Sequence, residues 1–281
     1  MKKLIALVLA LVLALTLVAC GSDSSNTDSN TDSGDTTTET VTIKVGASPT
    51  PHAEILAQVK DTLAAEGVNL EIVEYTDYIQ PNLAVEDSSL DANYFQHQPY
   101  LDDFNAENDT HIVSVAAIHY EPLGIYPGKI SSIDELTDGS KIAVPNDTTN
   151  EARALLLLEA NGVITLKEGV GMAATVLDIT SYAKDIEIVE VAAEQVPRSL
   201  EDVDLGVING NYALAAGLTG ADALATESSD SLAAETYANV LCVKEGNENN
   251  EAIQKLVAAL ESDAVRDYIN NTYQGVVVPK F

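Results

Sequence analysis

Hydrophobic positions along this chain change character twice. From Leu4 to Val18 every residue except Thr16 is apolar, behind Lys2 and Lys3 and ahead of Ala19 and Cys20. Residues 21–40 then hold no apolar side chain at all. From Val41 onward, strand-like and helix-like patterns take turns, which predicts a mixed α/β fold. Val41, Ile43 and Val45 alternate with polar residues and lead into the turn Gly46-Ala47-Ser48-Pro49. Ile55, Leu56, Val59 and Leu63 repeat at helical spacing as far as Gly67, and Leu70, Ile72 and Val73 make a second strand. Such a βαβ start places ligand sites at the carboxyl ends of its strands. A second unit begins at residues 141–144 and passes through Pro145-Asn146-Asp147-Thr148-Thr149, a loop rich in helix-capping residues. Its helix runs through Arg153 and the apolar residues Leu155 to Leu158 until Asn161-Gly162. Residues 118–126 and 237–243 read as extended segments crossing between two lobes. The final helices, with Ile253, Leu256, Val257 and Leu260 at helical spacing, are expected to return to the first lobe. Lobe 1 is thus expected at 41–125 and 241–281, and lobe 2 at 126–240.

The amino-terminal pattern reads as a processing signal, with basic residues, an apolar stretch, then small residues before a cysteine. A membrane span needs about 20 apolar residues. This stretch is shorter and stops at Leu17-Val18-Ala19-Cys20-Gly21. Residues 1–19 are therefore expected to be a lipoprotein signal peptide, and Cys20 the lipidated mature terminus. Residues 20–40 form a disordered tether reaching on the order of 25 Å. The folded part would then sit on the extracytoplasmic face of the cell membrane, held by lipid.

The formal charge of -30 is spread along the chain and reads as a solvated surface. Lys and Arg do not cluster, which argues against nucleic acid as a partner. With Cys20 lipidated, only Cys242 remains, so no internal disulfide can form and Cys242 reads as a buried small hydrophobe. His52, His97, His111 and His119 show no metal-ligand spacing with one another or with cysteine, so neither a metal nor a cofactor is expected.

Three features carry candidate chemistry. Phe95, His97 and Tyr100 fall within six residues in a chain of 5% aromatic content, which suits a ligand cage, although such residues also serve as ordinary core. Arg153 lies about one turn into its helix, behind a capping loop, and a guanidinium binds a carboxylate through two parallel hydrogen bonds. A surface pair with Glu151 or Glu159 is the alternative. Asn209 follows the apolar run Leu205-Gly206-Val207-Ile208, where a strand should end, Asn239 interrupts Tyr237-Ala238-Val240-Leu241, and their amides need either a polar ligand or a second backbone segment as partner.

These residues sit in longer motifs. They are Asp77-Tyr78-Ile79-Gln80-Pro81-Asn82 and Leu90-Asp91-Ala92-Asn93-Tyr94-Phe95-Gln96-His97-Gln98-Pro99-Tyr100-Leu101. Further along come Val144-Pro145-Asn146-Asp147 with Thr149-Asn150 and Arg153, then Pro197-Arg198-Ser199-Leu200 and Val207-Ile208-Asn209. From Ile43 onward the chain resembles the NlpA lipoprotein family, the methionine-binding lipoproteins of bacterial ABC importers. That resemblance implies an α/β, two-lobed periplasmic-binding-protein fold of type II, with two crossing strands and an interlobe ligand cleft. It implies capture of methionine, or of a related amino acid or dipeptide, and delivery to a permease and its ATPase. It places an aromatic cage on Tyr78, Phe95, His97 and Tyr100. The grip on the ligand's α-carboxylate and α-amino group falls on Asn146, Arg153, Asn209 and Asn239, with Asn150 and Glu121 nearby. The stretch Ile118-His119-Tyr120-Glu121-Pro122 varies in the family, which leaves the ligand open. An enzyme on the same fold is the competing reading, with His119 and Glu121 as an acid–base pair. No activated nucleophile or cofactor fingerprint can be read, so catalysis is not expected. Nor does the sequence carry the large apolar or repetitive surface of an adhesin.

Overall fold

The computed structural model describes residues 40–228 and 235–281. The expected signal peptide, Cys20 and all but the last residue of the tether lie outside them. Strand β1 (Val41–Ala47) pairs in parallel with β2 (Val68–Glu74) on one side and β3 (Ala92–His97) on the other. Between β1 and β2 the predicted helix comes in two pieces, Glu54–Gln58 and Lys60–Ala65. The break falls at Val59, whose N–H bonds three residues back to Leu56, while Ile55, Leu56, Val59 and Leu63 all stay buried. Gly67, at φ +79, ends the second piece in the left-handed conformation that glycine adopts without a steric cost. β3 is buried at every position, so its sequence shows no alternation.

β4 (Ile112–Tyr120) belongs to the same sheet, and the chain leaves that sheet at Tyr120. It enters a second sheet at β5 (Gly124–Pro127). The extended segment expected over 118–126 is therefore broken at Glu121, Pro122 and Leu123, where Pro122 has no N–H to give a ladder. The second sheet continues with β6 (Lys141–Pro145), after which β7 (Ile164–Leu166) and β8 (Ile179–Tyr182) form a small antiparallel pair of their own. β9 (Glu187–Val191), β10 (Leu205–Ile208) and β11 (Ala225–Thr226) complete it in the order β11-β5-β10-β6-β9. The helix Thr148–Ala160 packs Leu155 and Leu158 with Ile142, Val144, Leu205 and Val207 in one core.

The chain changes sheets again between Thr226 and Asn239. Of residues 237–243, expected to cross between lobes, 239–243 lie in β12 (Asn239–Lys244). That strand pairs antiparallel with both β3 and β4 inside the first sheet. β13 (Val278–Pro279) adds an edge beside β4. The first sheet thus reads β13-β4-β12-β3-β1-β2. The lobe bounds expected at 125/126 and 240/241 fall inside β5 and β12. The helices Glu251–Leu260 and Asp263–Tyr273 bury Ile253, Leu256, Leu260 and Ile269 against Ile43, Val45, Leu70 and Leu241. Each such aliphatic side chain contributes about 1.5–3 kcal/mol relative to exposure. Cys242 is wholly buried in β12, and burial pushes its thiol pKa up. Among the described residues no helix is long and apolar enough to cross a membrane.

Candidate functional site

A cavity lies between the two sheets. From the first sheet and its connections come Tyr78, Phe95, Gln96, His97, Tyr100 and Asn239, with Glu121 at the crossing. From the second come Asn150 and Arg153 on the helix Thr148–Ala160, and Asn209, Gly210 and Asn211 after β10. Nine of the ten sequence-predicted ligand residues line it. The tenth, Asn146, opens instead onto a neighbouring groove with Ile79, Asp103 and Asp147. The cavity holds about 20 Å³, room for about one water. A larger guest needs the walls to part.

The first-sheet wall is aromatic. Tyr78 lies 5.7 Å from Phe95 and 5.7 Å from Tyr100 between ring centroids, and His97 meets Tyr100 edge-on at 6.3 Å. The Tyr100 hydroxyl donates to the Tyr78 carbonyl at 3.0 Å, and the Tyr78 hydroxyl donates across the cavity to Asn211 Oδ1 at 2.5 Å. His97 caps its own helix by accepting the Tyr100 N–H at Nδ1, 3.2 Å away. Its Nε2 is thereby left to donate to Asn150 Oδ1 at 3.1 Å. Burial, and then the charge of Arg153, lowers the His97 pKa to about 3, so the ring is neutral.

The second-sheet wall is polar. Asn209 Nδ2 donates to the same Asn150 oxygen at 2.8 Å, while Asn209 Oδ1 is buried with no protein partner. Arg153 is 4% exposed, which removes the surface pair with Glu151 or Glu159. Those two carboxylates accept backbone N–H groups of Val176 and Leu166. The partner of Arg153 is Glu227, which takes Nε at 2.7 Å and Nη2 at 2.5 Å. Nη2 also donates to the Glu121 carbonyl at 2.7 Å, and the guanidinium lies 4.4 Å over the Tyr237 ring. Burial pushes the Glu227 carboxyl up, but Arg153 and the donors around it outweigh that and hold it below the usual carboxylate range. The start of the helix Thr148–Ala160 is filled by its own N-cap, Asp147, which accepts the Asn150 N–H at 3.0 Å and its Nδ2 at 2.9 Å.

Beneath Glu121 and Asn239 the fold gathers two histidines that sequence spacing had kept apart. His119 Nε2 donates to Glu121 Oε1 at 2.6 Å, and the Tyr94 hydroxyl holds its Nδ1. His52 Nε2 meets Asn239 Oδ1 at 2.9 Å and lies 3.5 Å from Glu121 Oε1. Burial lowers the ring pKa values to about 4 for His52 and about 3 for His119, and it raises that of Glu121. The candidate ligand atoms of His52, His119 and Glu121 all lie within 4.8 Å of one another, so this is where a metal ion could sit among the described residues. Binding one would require the His119–Glu121 hydrogen bond to break first.

Sequence reasoning missed Glu227, Tyr237, Asn211 and His52. Asn211 had a signal in Asn209-Gly210-Asn211, two amides closing a strand. Glu227 had none, because it lies 74 positions from Arg153 in a polar stretch.

Two sheets, two crossings and a polar and aromatic cavity between them make a two-lobed periplasmic-binding-protein fold. The chain belongs to the NlpA lipoprotein family, whose description matches residues 43–281. It is 42% identical over 241 residues to the D-methionine-binding lipoprotein MetQ of Salmonella typhimurium, covering 84% of this chain and 87% of that one. A crystal structure from Ruminococcus gnavus superposes with a TM-score of 0.84 at 58% identity, over 85% of this chain and 99% of that one. A periplasmic substrate-binding protein of an ABC transporter from Coxiella burnetii superposes at 0.79 with 41% identity, over 85% and 100%.

Proposed function

We propose that this protein is the substrate-binding lipoprotein of an ABC importer. It captures methionine, or a closely related small amino acid or methionine dipeptide, between its lobes and delivers it to a permease coupled to an ATPase. The observation that carries this reading is the division of one cavity into an aromatic wall and a wall of Arg153 and asparagines. A thioether side chain suits ring faces and edges, at about 0.3–1.5 kcal/mol per sulfur–ring contact. A carboxylate suits the guanidinium, and an ammonium group suits the oxygens of Asn209, Asn239 and Glu121. The unpartnered Asn209 Oδ1 is an acceptor waiting for such a donor. Asn146 would enter the grip only as the lobes move.

The lobes pivot, in this reading, at residues 121–123 and just before Asn239. Lipid on Cys20 holds the protein to the extracytoplasmic face of the membrane, and the bound guest is released unchanged. Titration calorimetry of L-methionine, D-methionine, a methionine dipeptide and alanine tests the ligand. Ligand at a hundredfold excess over its dissociation constant should add about 2.7 kcal/mol to stability. If no amino acid or dipeptide raises the melting temperature, the reading is wrong. Anchoring is tested separately by Cys20→Ala, which should release the protein from the membrane fraction.

A further inference from the structure

We propose that Glu227 is a specificity-determining residue: it is the fixed counter-charge of Arg153 and sets the cavity to accept a net-neutral zwitterion over an anion of the same skeleton. This deepens the binding function proposed above and rests on it.

Glu227 does not line the cavity. It lies one step behind, where both crossings meet. Its Oε2 accepts the Tyr120 hydroxyl at 2.7 Å and the Leu123 N–H at 2.9 Å, both from the first crossing. Its two oxygens together hold the Nε–Nη2 edge of Arg153. The carboxylate is 10% exposed and the guanidinium 4% exposed, so neither charge is screened by bulk water.

The imidazoles around the cavity carry no charge at neutral pH. His97, His52 and His119 are neutral rings, as their lowered pKa values require. Burial also raises the pKa values of Glu121 and Asp147. Arg153 and Glu227 form a buried ion pair whose two charges cancel. An amino acid brings a carboxylate and an ammonium group, which also cancel. Its 2-hydroxy analogue brings the carboxylate alone and leaves the buried site with an uncompensated negative charge. Without Glu227 the balance reverses. The lone guanidinium would welcome the anion and repel the ammonium group.

The test uses the full-length protein in detergent with two probes, L-methionine and 2-hydroxy-4-(methylthio)butanoate. The wild type should prefer methionine. Glu227→Gln keeps the shape and removes the charge. It should lower the ratio of the two affinities by about tenfold or more, as expected for a unit charge several ångströms away in a poorly screened site. Glu227→Asp keeps the charge and should keep the ratio even if both affinities fall. A residue that merely braces the fold would weaken both ligands alike. If the Gln variant does not fold, Glu227→Ser reads the same ratio. A folded neutral variant with an unchanged ratio overturns the role of Glu227 alone. A wild type that takes neither probe overturns this proposal and removes methionine from the binding function beneath it, which then stands or falls on the other amino acids and dipeptides.

Discussion

On one side of the cavity Arg153 and Glu227 are buried and keep their charges. On the other, His52, His119 and Glu121 are equally buried and are driven toward their neutral forms. Burial opposes charge in both clusters, so the difference lies in the partners. Arg153 meets a carboxylate through two nitrogens, and that carboxylate has two further donors, so pairing outweighs desolvation. Glu121 meets imidazoles, which cost less to keep neutral than to protonate in a buried site. A buried charge thus survives here only where an opposite fixed charge and a full set of hydrogen bonds come together.

The largest expected effect comes from breaking the charged side. Arg153→Ala leaves Glu227 buried without its counter-charge and should cost about 3–5 kcal/mol of stability, read from urea unfolding. It should also weaken methionine binding by at least about thirtyfold, because the ligand's carboxylate loses a desolvated partner. Near-wild-type stability would mean that Glu227 finds water or another donor, and the contrast between the clusters would collapse.

The neutral side should show itself in pH dependence. His52 and His119 have folded pKa values of about 4 and about 3, below the ordinary 6.5. A depressed folded pKa means that the unfolded chain binds the proton first. Stability is then fully present above about pH 6.5 and is lost as pH falls toward those values, by up to about 1.4 kcal/mol per pH unit for each ring. Glu121, with a raised pKa, works in the opposite direction, so the ring contribution is isolated by difference. His119→Gln should flatten the fall in stability between pH 6.5 and 5 relative to wild type. Parallel profiles would show that the ring is not held neutral. Glu227, with a lowered pKa, joins only as pH falls to the ordinary carboxylate range and below it, so the charged cluster should be silent in this window.

How much of this could be read from the chain follows from what each residue needs as a neighbour. The β1–helix–β2 unit was legible because each of its apolar residues packs at a regular spacing on its own element. The aromatic wall was legible because Phe95, His97 and Tyr100 come from one strand and the helix that follows it. The sheet that takes β12 was not legible because the strand is buried from Asn239 to Val243, and a short apolar run does not reveal which sheet covers it. Arg153 was legible as a cavity-lining arginine but not in its pairing. Its partner comes from the other end of the lobe, and nothing in Thr226-Glu227-Ser228 marks that carboxylate for burial. The pairing of His52 with His119 is likewise a product of the sheet, which brings the turn after β1 beside the end of β4.

The smallest effect sharpens the comparison most. Glu121→Gln and Glu227→Gln are the same chemical change at two carboxyls that both accept from neighbours in the site. At Glu121 the amide oxygen can still take the His119 Nε2–H, and no cation loses its counter-charge, since the rings there are neutral. The remaining cost is the amide NH₂ placed where the second oxygen stood, close to Gly210. One poorly satisfied hydrogen bond of this kind costs about 1–3 kcal/mol at most, and a site that relaxes sits at the lower end. At Glu227 the same change strands the Arg153 charge, so it should cost more than its counterpart. Urea unfolding of the two variants at pH 7 decides it. A larger loss at Glu121 would mean that this carboxyl is ionised in the folded protein and that the histidines beneath it share its charge, placing both clusters in the same electrostatic class.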